Sequence, residues 1–232
     1  MTTLAPPPPR SKPRPSPVAA SPAPVAAARP ARTFAVADWS GDNEGQKTII
    51  YSGSGDGKST LASLNPRSIF IGLDDGARLL RRPDGSPVRF IPGVETYQDV
   101  RDALVQPGLF NAGDMLVIDT ITRLEQLAEA HLIATVKDER GNAVTSIEGY
   151  GYGKGYKHLY DAMLPVFADL DGLIRRGVNV TLLAQSCTIV KANPAGIDFL
   201  YDGPKLYHPS KDGKQTYSIR LYACEWADHV VR

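Results

Sequence analysis

The stretch Ser52-Gly53-Ser54-Gly55-Asp56-Gly57-Lys58-Ser59-Thr60 lies between a β-favouring run and a run with helical spacing. Its first eight residues match the pattern G-x-x-x-x-G-K-[ST] everywhere but the first position, where serine replaces glycine. Glycines let successive backbone N–H groups turn inward around a phosphate, and the helix that follows adds its N-terminal partial charge. The stretch therefore predicts a phosphate-binding loop.

Two side chains of this loop have predicted roles in binding ATP and Mg²⁺. Lys58 supplies a mobile ammonium group to the β- and γ-phosphates, and the Ser59 hydroxyl ligates Mg²⁺. The predicted nucleotide-binding residues are those from Ser52 to Thr60. Ser52 fits the first position if its φ stays negative, because glycine alone adopts positive φ without strain. The alternative is a glycine-rich turn in which Lys58-Ser59 follows by chance.

An acidic residue follows the apolar run Met115-Leu116-Val117-Ile118. An acid at the carboxyl end of a buried strand lies beside the phosphate loop in a parallel sheet. Asp119 is therefore predicted to hold Mg²⁺ through water, and the phosphate loop about 60 residues earlier favours this role. The alternative is that Asp119 caps the following helix, for which Thr120 is equally suited.

Apolar runs alternate with helical patterns from Lys47 onward. Near-continuous apolar strands separated by helices predict an α/β fold, with a mostly parallel sheet sandwiched between helices. A period-two pattern near the C-terminus predicts one further, more exposed strand. The predicted strands are 48–51, 68–73, 88–91, 114–119, 178–184 and 216–224, and the predicted helices are 58–64, 96–105, 121–133 and 157–176.

The first 33 residues differ in composition from the rest. They hold ten of the 19 prolines and five basic residues without an acid, which predicts a disordered tail ahead of a domain over 34–232. A transit peptide is also basic, but prolines oppose its amphipathic helix. The remainder has 21 basic and 25 acidic residues, so contacts with nucleic acid must come from local patches or from the tail.

Cysteine usage and hydropathy bear on the compartment. Cys187 and Cys224 have neither metal-ligand spacing nor a disulfide-framework pattern, and no apolar run approaches the roughly 20 residues that span a bilayer. We therefore expect a cytoplasmic protein with no membrane partner.

Two segments are candidates for contact with single-stranded DNA. Residues 149–157 (GYGYGKGYK) interleave three tyrosines with lysines, and residues 191–214 carry four lysines with Tyr207 and His208. Aromatic rings stack on bases, and lysines neutralise phosphates. The alternative is a glycine-hinged loop whose tyrosines pack on the domain.

Together these motifs resemble those of RecA-like P-loop NTPases. The resemblance runs from about Gln46 to the C-terminus, and more narrowly it is to phage-type AAA proteins that include Sak-type single-strand annealing ATPases. It is carried by the phosphate loop, Ile118-Asp119-Thr120-Ile121-Thr122, Ala184-Gln185-Ser186, Leu73-Asp74-Asp75-Gly76, Gly151-Tyr152-Gly153-Lys154 and Ala227-Asp228.

The resemblance implies a catalytic set and an assembly. Asp74, with Asp75 beside it, stands where RecA-like enzymes place the glutamate that activates water, although an aspartate is one methylene shorter. Gln185 matches the polar sensor of the γ-phosphate. Their alternatives are a solvated turn carboxylate and a surface amide. Such sites usually lie between the subunits of a ring or filament, and the candidate donors of a basic finger from the neighbour are Arg175, Arg176 and Arg220.

The function expected from this resemblance is ATP hydrolysis that controls single-stranded DNA in recombination or annealing, in a bacterial host if the gene belongs to a phage. An alternative is a nucleotide-gated adaptor or loader that binds a replication, recombination or packaging protein without handling DNA. The acidic core and the proline-rich tail favour it. A third is a non-hydrolysing subunit, left open by Ser52 and the shortened Asp74.

Overall fold

The structure is a computed structural model that describes residues 43–74, 79–191, 193, 196–209 and 217–232. The predicted tail over 1–33, the predicted domain start at 34, and Asp75, Lys211 and Lys214 lie outside these ranges. Within them, none of the helices combines the length and the apolar character needed to cross a lipid bilayer.

The core of the fold is a parallel sheet. Six strands run in the order β3-β2-β4-β5-β1-β7, and each neighbouring pair in this order is parallel. The carboxyl ends of the longer strands therefore meet at one edge, where parallel α/β sheets bind their ligands. The strands are β1 (Lys47–Ser52), β2 (Ser68–Gly72), β3 (Arg89–Phe90), β4 (Met115–Asp119), β5 (Asn179–Lys191) and β7 (His229–Val231).

Helices cover both faces of the sheet, as predicted for this α/β fold. Because side chains alternate along a strand, Leu116 and Ile118 of β4 face one helix layer while Val117 faces the other way. The larger layer consists of α2 (Tyr97–Val105), α3 (Ile121–Thr135), α4 (Lys154–Ile174) and α5 (Ile219–Trp226), whereas α1 (Lys58–Ser63) packs on the opposite face.

The prediction of a strand over 216–224 is wrong, because the described part of this segment forms helix α5. Ser218 begins the helix by accepting a hydrogen bond from the N–H of Leu221. Ile219 and Ala223 are buried, and Tyr222 and Trp226 pack against the same core. This spacing of three, four and seven residues is helical, and the alternation seen in the sequence is incidental to it.

Strand β5 is longer than the predicted 178–184 and forms a hairpin. Its parallel pairing with β1 ends at Gln185, opposite Ser52, and the strand continues to Lys191 in antiparallel pairing with β6 (Phe199–Pro204). We call residues 186–191 and 199–204 the β5–β6 hairpin. The predicted strand end at residue 184 is therefore wrong: the strand continues, and Gln185 lies where it leaves the parallel sheet.

Candidate functional site

The glycine-rich segment forms a turn between the end of β1 and the start of α1. Gly55 and Gly57 have φ of 85° and 86°, a region in which residues other than glycine are strained. Among the described residues other than glycine, positive φ occurs at Tyr152 and Tyr217 alone. The φ of Ser52 is therefore negative, as the predicted phosphate loop requires.

The ammonium group of Lys58 lies within this loop. It donates to the carbonyl of Gly53 at 2.6 Å, to the carbonyl of Ser52 at 3.1 Å and to the Ser52 hydroxyl at 3.4 Å. The hydroxyl is a contact that a glycine at position 52 could not make. The loop therefore holds its cation where phosphate oxygens would meet it.

Asp119 and Ser59 join the loop to β4. The Ser59 hydroxyl donates to Oδ2 of Asp119 at 2.5 Å, and Asp119 is only 6% exposed. Burial raises the pKa of Asp119, and the negative charge of Asp74 adds to this. The bond from Ser59 and the charge of Lys58 act in the opposite direction. The fold therefore holds a desolvated carboxylate against the loop.

The cap of α3 belongs to the neighbouring residue. The Thr120 side chain accepts a hydrogen bond from the N–H of Arg123 at 3.1 Å, which makes Thr120 the N-cap. Of the two residues suited to the cap in the sequence, Thr120 takes it. The carboxylate of Asp119 is directed to Ser59 instead.

Asp74 is held next to Asp119 by both backbone and side chain. The Asp119 carbonyl accepts from the N–H groups of Leu73 and Asp74 at 2.7 and 3.3 Å. The Thr120 hydroxyl donates to Oδ2 of Asp74 at 3.2 Å. Because that hydroxyl oxygen also accepts from Arg123, its proton is free for the carboxylate.

Gln185 lies beside the loop, because it is opposite Ser52 in the pairing of β5 with β1. Its backbone N–H donates to the Thr122 hydroxyl at 3.1 Å, and its side chain is exposed. A cleft of about 430 Å³ is lined by residues from all of these segments. The lining residues are Ser54, Gly55, Gly57, Lys58, Ser59, Thr60, Asp74, Leu80, Asp119, Thr120 and Gln185.

Two threonines have contacts here that the sequence reasoning did not assign. Thr120 bonds to Asp74, and Thr122 bonds to Gln185, so each links the start of α3 to another segment of the site. Both are almost fully buried. A signal was present in the sequence, because two hydroxyl residues flank Ile121 directly after an apolar strand, where buried polar groups need partners.

The residues present fit a magnesium ion shared with a nucleotide. Mg²⁺ usually binds through one or two carboxylates, substrate phosphates and water rather than in an all-protein cage. Ser59 and Asp119 supply two oxygens at one point of the cleft. In the ranges that the structure describes, no group of three or more His, Cys, Asp or Glu residues could hold a metal without such a substrate.

A second cleft of about 480 Å³ adjoins the first and shares Asp74 and Leu80 with it. Its remaining lining is largely apolar, from β3, the segment after it, and α3. Phe90 stands at this cleft with 63% of its surface exposed.

The tyrosines of the first candidate DNA segment do not share one environment. Tyr150 is buried, and its hydroxyl donates to the carbonyls of Leu132 and Val136. Tyr156 stacks on Tyr207 with ring centroids 4.4 Å apart. Tyr152 alone of the three is fully exposed. Two of these rings are therefore used in packing within the domain.

The lysines of that segment are also paired. Lys154 contacts Glu139 at 2.5 Å, and Lys157 contacts Asp161 at 2.6 Å. Both lie in the first turn of α4, which begins three residues earlier than predicted.

Within the second candidate segment, Lys191 and residues 199–204 belong to the β5–β6 hairpin rather than to a loop. Lys191 and Lys205 are exposed, and so are several large apolar residues of the hairpin and its turn. The exposed apolar residues are Val190, Ile197, Phe199, Leu200 and Tyr201.

The three arginines considered as finger donors lie in different places. Arg220 is half-buried, donates its backbone N–H to Tyr207 and contacts the Cys187 sulfur at 3.8 Å. Arg175 and Arg176 are exposed after α4, at the edge where the strands begin. None of them lines this chain's own nucleotide cleft.

The fold and the cleft define a P-loop nucleotide-binding protein, in which a lysine-bearing loop follows β1 and an acid is the last residue of β4, two positions away in the sheet. A scan against protein-family models matches an AAA domain over residues 44–200, and the chain belongs to this family. A search of curated proteins gives no match. Family membership indicates nucleotide binding, with hydrolysis as its usual chemistry.

Proposed function

We propose that this protein is a cytoplasmic Mg-ATPase that controls single-stranded DNA during recombination or annealing, in the manner of phage-type Sak-like ATPases. The observation that carries the ATPase part is the Ser59–Asp119 bond beside the loop that encloses Lys58. It joins Ser59 to Asp119 next to the loop that holds Lys58, and a bound Mg-ATP needs these three groups.

Five residues of the cleft have roles in the proposed hydrolysis. Lys58 neutralises charge on the phosphates, and Ser59 with Asp119 would hold Mg²⁺, which would supply positive charge to the phosphoryl oxygens. Asp74 orients a water and accepts its proton as the water oxygen bonds to the γ-phosphorus. The bond from that phosphorus to the β,γ-bridging oxygen breaks, and ADP and phosphate form. Gln185 contacts the γ-phosphate and reports its loss.

One face of the β5–β6 hairpin has the chemistry of a base-stacking surface. Residues directly opposite in an antiparallel pair share a face, and faces alternate along each strand. The pairs Ile189–Tyr201 and Lys191–Phe199 therefore share one face, which combines two exposed aromatic rings with a cation. Tyr152 adds an exposed ring on the other candidate segment. We propose that these residues form the binding surface for single-stranded DNA.

A second copy of the chain is the proposed partner in a ring or filament. The aliphatic face of the hairpin, with Val190 and Leu200, and the apolar cleft beside Asp74 are two unlike surfaces of one chain. Head-to-tail contact between unlike surfaces generates rings or filaments. Leu200→Glu and Phe90→Glu each remove one surface, so neither variant should self-associate, whereas their mixture should form heterodimers in sedimentation experiments. Self-association of either variant alone would refute this arrangement.

A second candidate function is the nucleotide-gated adaptor that docks a replication, recombination or packaging protein. The internal packing of Tyr150 and Tyr156 favours it, because it removes two of the three stacking rings of that segment. The ion pairs of Lys154 and Lys157 reduce the positive charge available to a phosphate backbone.

Hydrolysis of ATP with and without single-stranded DNA separates these functions. We expect DNA to stimulate the wild type, and Lys58→Ala to abolish hydrolysis. Lys47→Ala is the matched control. Lys47 begins β1, the strand that leads into the phosphate loop, so it lies at the opposite edge of the sheet, where it pairs with Asp171. Hydrolysis unaffected by DNA favours the adaptor. Absence of nucleotide binding in the wild type refutes both.

Binding of labelled oligonucleotides tests the DNA surface directly. We expect Tyr201→Ala and Tyr152→Ala each to weaken binding about fivefold or more, the loss of one stacked base. Thr188→Ala is the control, because Thr188 is exposed on the opposite face of the hairpin. Equal affinities for all variants would exclude the hairpin face as the DNA site.

A further inference from the structure

The backbone of Gln185 is held from both sides at the point where β5 leaves the parallel sheet. Its N–H donates to the Thr122 hydroxyl at 3.1 Å, and its carbonyl accepts from the N–H of Lys205 at 2.7 Å. Lys205 follows directly on β6, the returning strand of the hairpin. Both ends of the β5–β6 hairpin therefore meet at one residue of the nucleotide cleft.

Helix α3 contacts the returning segment a second time. Glu125 accepts from the backbone N–H of Tyr207 at 2.7 Å. Glu125 follows Thr122 by three residues, and residues three apart lie on the same side of a helix. One side of α3 thus holds both the outgoing and the returning chain at the base of the hairpin.

The start of the same helix lies next to the residues predicted to bind the metal and to activate water. Asp119 bonds to Ser59, and Thr120 caps α3 while bonding to Asp74. Thr120 and Thr122 lie at the first turn of α3, and a helical turn is stiff, so a displacement of Thr120 would move Thr122 with it. Thr122 is only 3% exposed, so water does not easily reach its hydroxyl to replace the N–H of Gln185 as its partner.

We propose that Thr122 is a positioning residue that sets the placement of Gln185 and couples the nucleotide cleft to the β5–β6 hairpin. The proposal rests on the ATPase function proposed above. Asp119 would hold the metal and Gln185 would contact the γ-phosphate, so nucleotide binding would act on the cleft at these two residues. The first turn of α3 carries that change to the base of the hairpin through Thr122, and Glu125 carries it to Tyr207.

Thr122→Val and Thr122→Ser separate positioning from packing. Valine keeps the shape of threonine but removes the hydroxyl, whereas serine keeps the hydroxyl and loses a methyl group. Thr181→Val is the matched control, because Thr181 is a buried threonine of β5 four residues before Gln185. Nucleotide affinity is measured separately for each variant with a fluorescent ATP analogue.

Hydrogen exchange of the amides from Gln185 to Tyr207 reports on the hairpin without requiring turnover. In the wild type we expect a non-hydrolysable ATP analogue with Mg²⁺ to slow exchange there. Thr122→Val should bind the analogue with little loss, yet the protection should fall about tenfold and kcat should fall with it, while KM stays nearly constant. Thr122→Ser and Thr181→Val should resemble the wild type.

The outcomes distinguish this inference from the ATPase proposal. If Thr122→Val binds the analogue and shows the wild-type protection and kcat, the coupling role is wrong and the ATPase proposal stands. A wild type that binds no nucleotide overturns both. If Thr122→Val does not fold, failure of Thr122→Ser to retain protection while binding nucleotide overturns the inference, since serine preserves the hydroxyl.

Discussion

Replacing Asp119 by asparagine should make the protein more stable and less active at once. The raised pKa of Asp119 means that the fold favours its neutral form, chiefly because the carboxylate is buried and secondly because Asp74 is near. An acid with a raised pKa contributes less to stability as pH rises through its folded pKa. At a pH above its folded pKa the carboxylate is charged, and burial of this charge destabilises the folded protein without nucleotide.

The size of the effect follows from the contacts. Asparagine keeps an oxygen that accepts from Ser59, so the lost part is the charge-assisted share of this hydrogen bond and the attraction of Lys58, together about 1 kcal/mol. Asparagine also removes the desolvation cost of the charge and its repulsion by Asp74. Because the net pKa shift of Asp119 is upward, this gain outweighs the loss. We expect a net gain of about 1 kcal/mol in the free energy of unfolding at pH 8. ATP hydrolysis should fall about 100-fold or more, since the ligand to Mg²⁺ loses its charge.

Asp114 provides the matched control, because it is buried at the other end of the same strand. It contacts Arg67 at 3.3 Å and accepts from the N–H of Asn111 at 2.9 Å. Asp114→Asn should lower the free energy of unfolding by about 1–3 kcal/mol and leave kcat unchanged. Urea unfolding without nucleotide and steady-state hydrolysis measure both quantities. A destabilised Asp119→Asn with normal hydrolysis would show that Asp119 is a structural residue and refute the metal role.

Three further predictions concern α3 and the tyrosines. Burial raises the pKa of Glu125 from 4.5 to about 7, so the stability of the wild type should decline between these pH values. Glu125→Gln still accepts from Tyr207 and should remove the decline. In urea unfolding at pH 8 this variant should be about 2 kcal/mol more stable than the wild type. Tyr150→Phe should lower the free energy of unfolding by about 1–2 kcal/mol, whereas Tyr152→Ala should change it by less than about 0.5 kcal/mol; equal effects would contradict the burial difference. Thr120→Val should lower both stability, by about 1 kcal/mol, and kcat, with Thr120→Ser restoring both; an unchanged kcat would show that Asp74 does not need this donor.

The segments that were predicted correctly are those whose defining residues are close together in the sequence. The phosphate loop, the apolar strand before Asp119 and the alternation of strands with helices depend on residues within one or two turns of each other. Such patterns set element type directly, because helical and strand periods are local properties. The parallel α/β fold and the order of its elements from β1 to β5 followed from them.

The errors arose where distant contacts decide. Residues 217–224 alternate in polarity, yet α5 forms because Ile219 and Ala223 find a core built by helices far away in the chain. The apolar run of β5 ends at Ala184, but the strand continues because β6 supplies partners for its next six residues. A single sequence does not show which segment will offer those partners.

The sequence by itself determined that Lys58, Ser59 and Asp119 would meet at one edge of a parallel sheet. The tertiary structure alone decided which of two adjacent residues caps α3, which tyrosines remain exposed, and that Thr122 lies against Gln185, 63 residues further along the chain. The physical reason is that a cap or an exposed ring depends on which distant backbone groups need a partner or a cover, and these are fixed only once the sheet order and register are set.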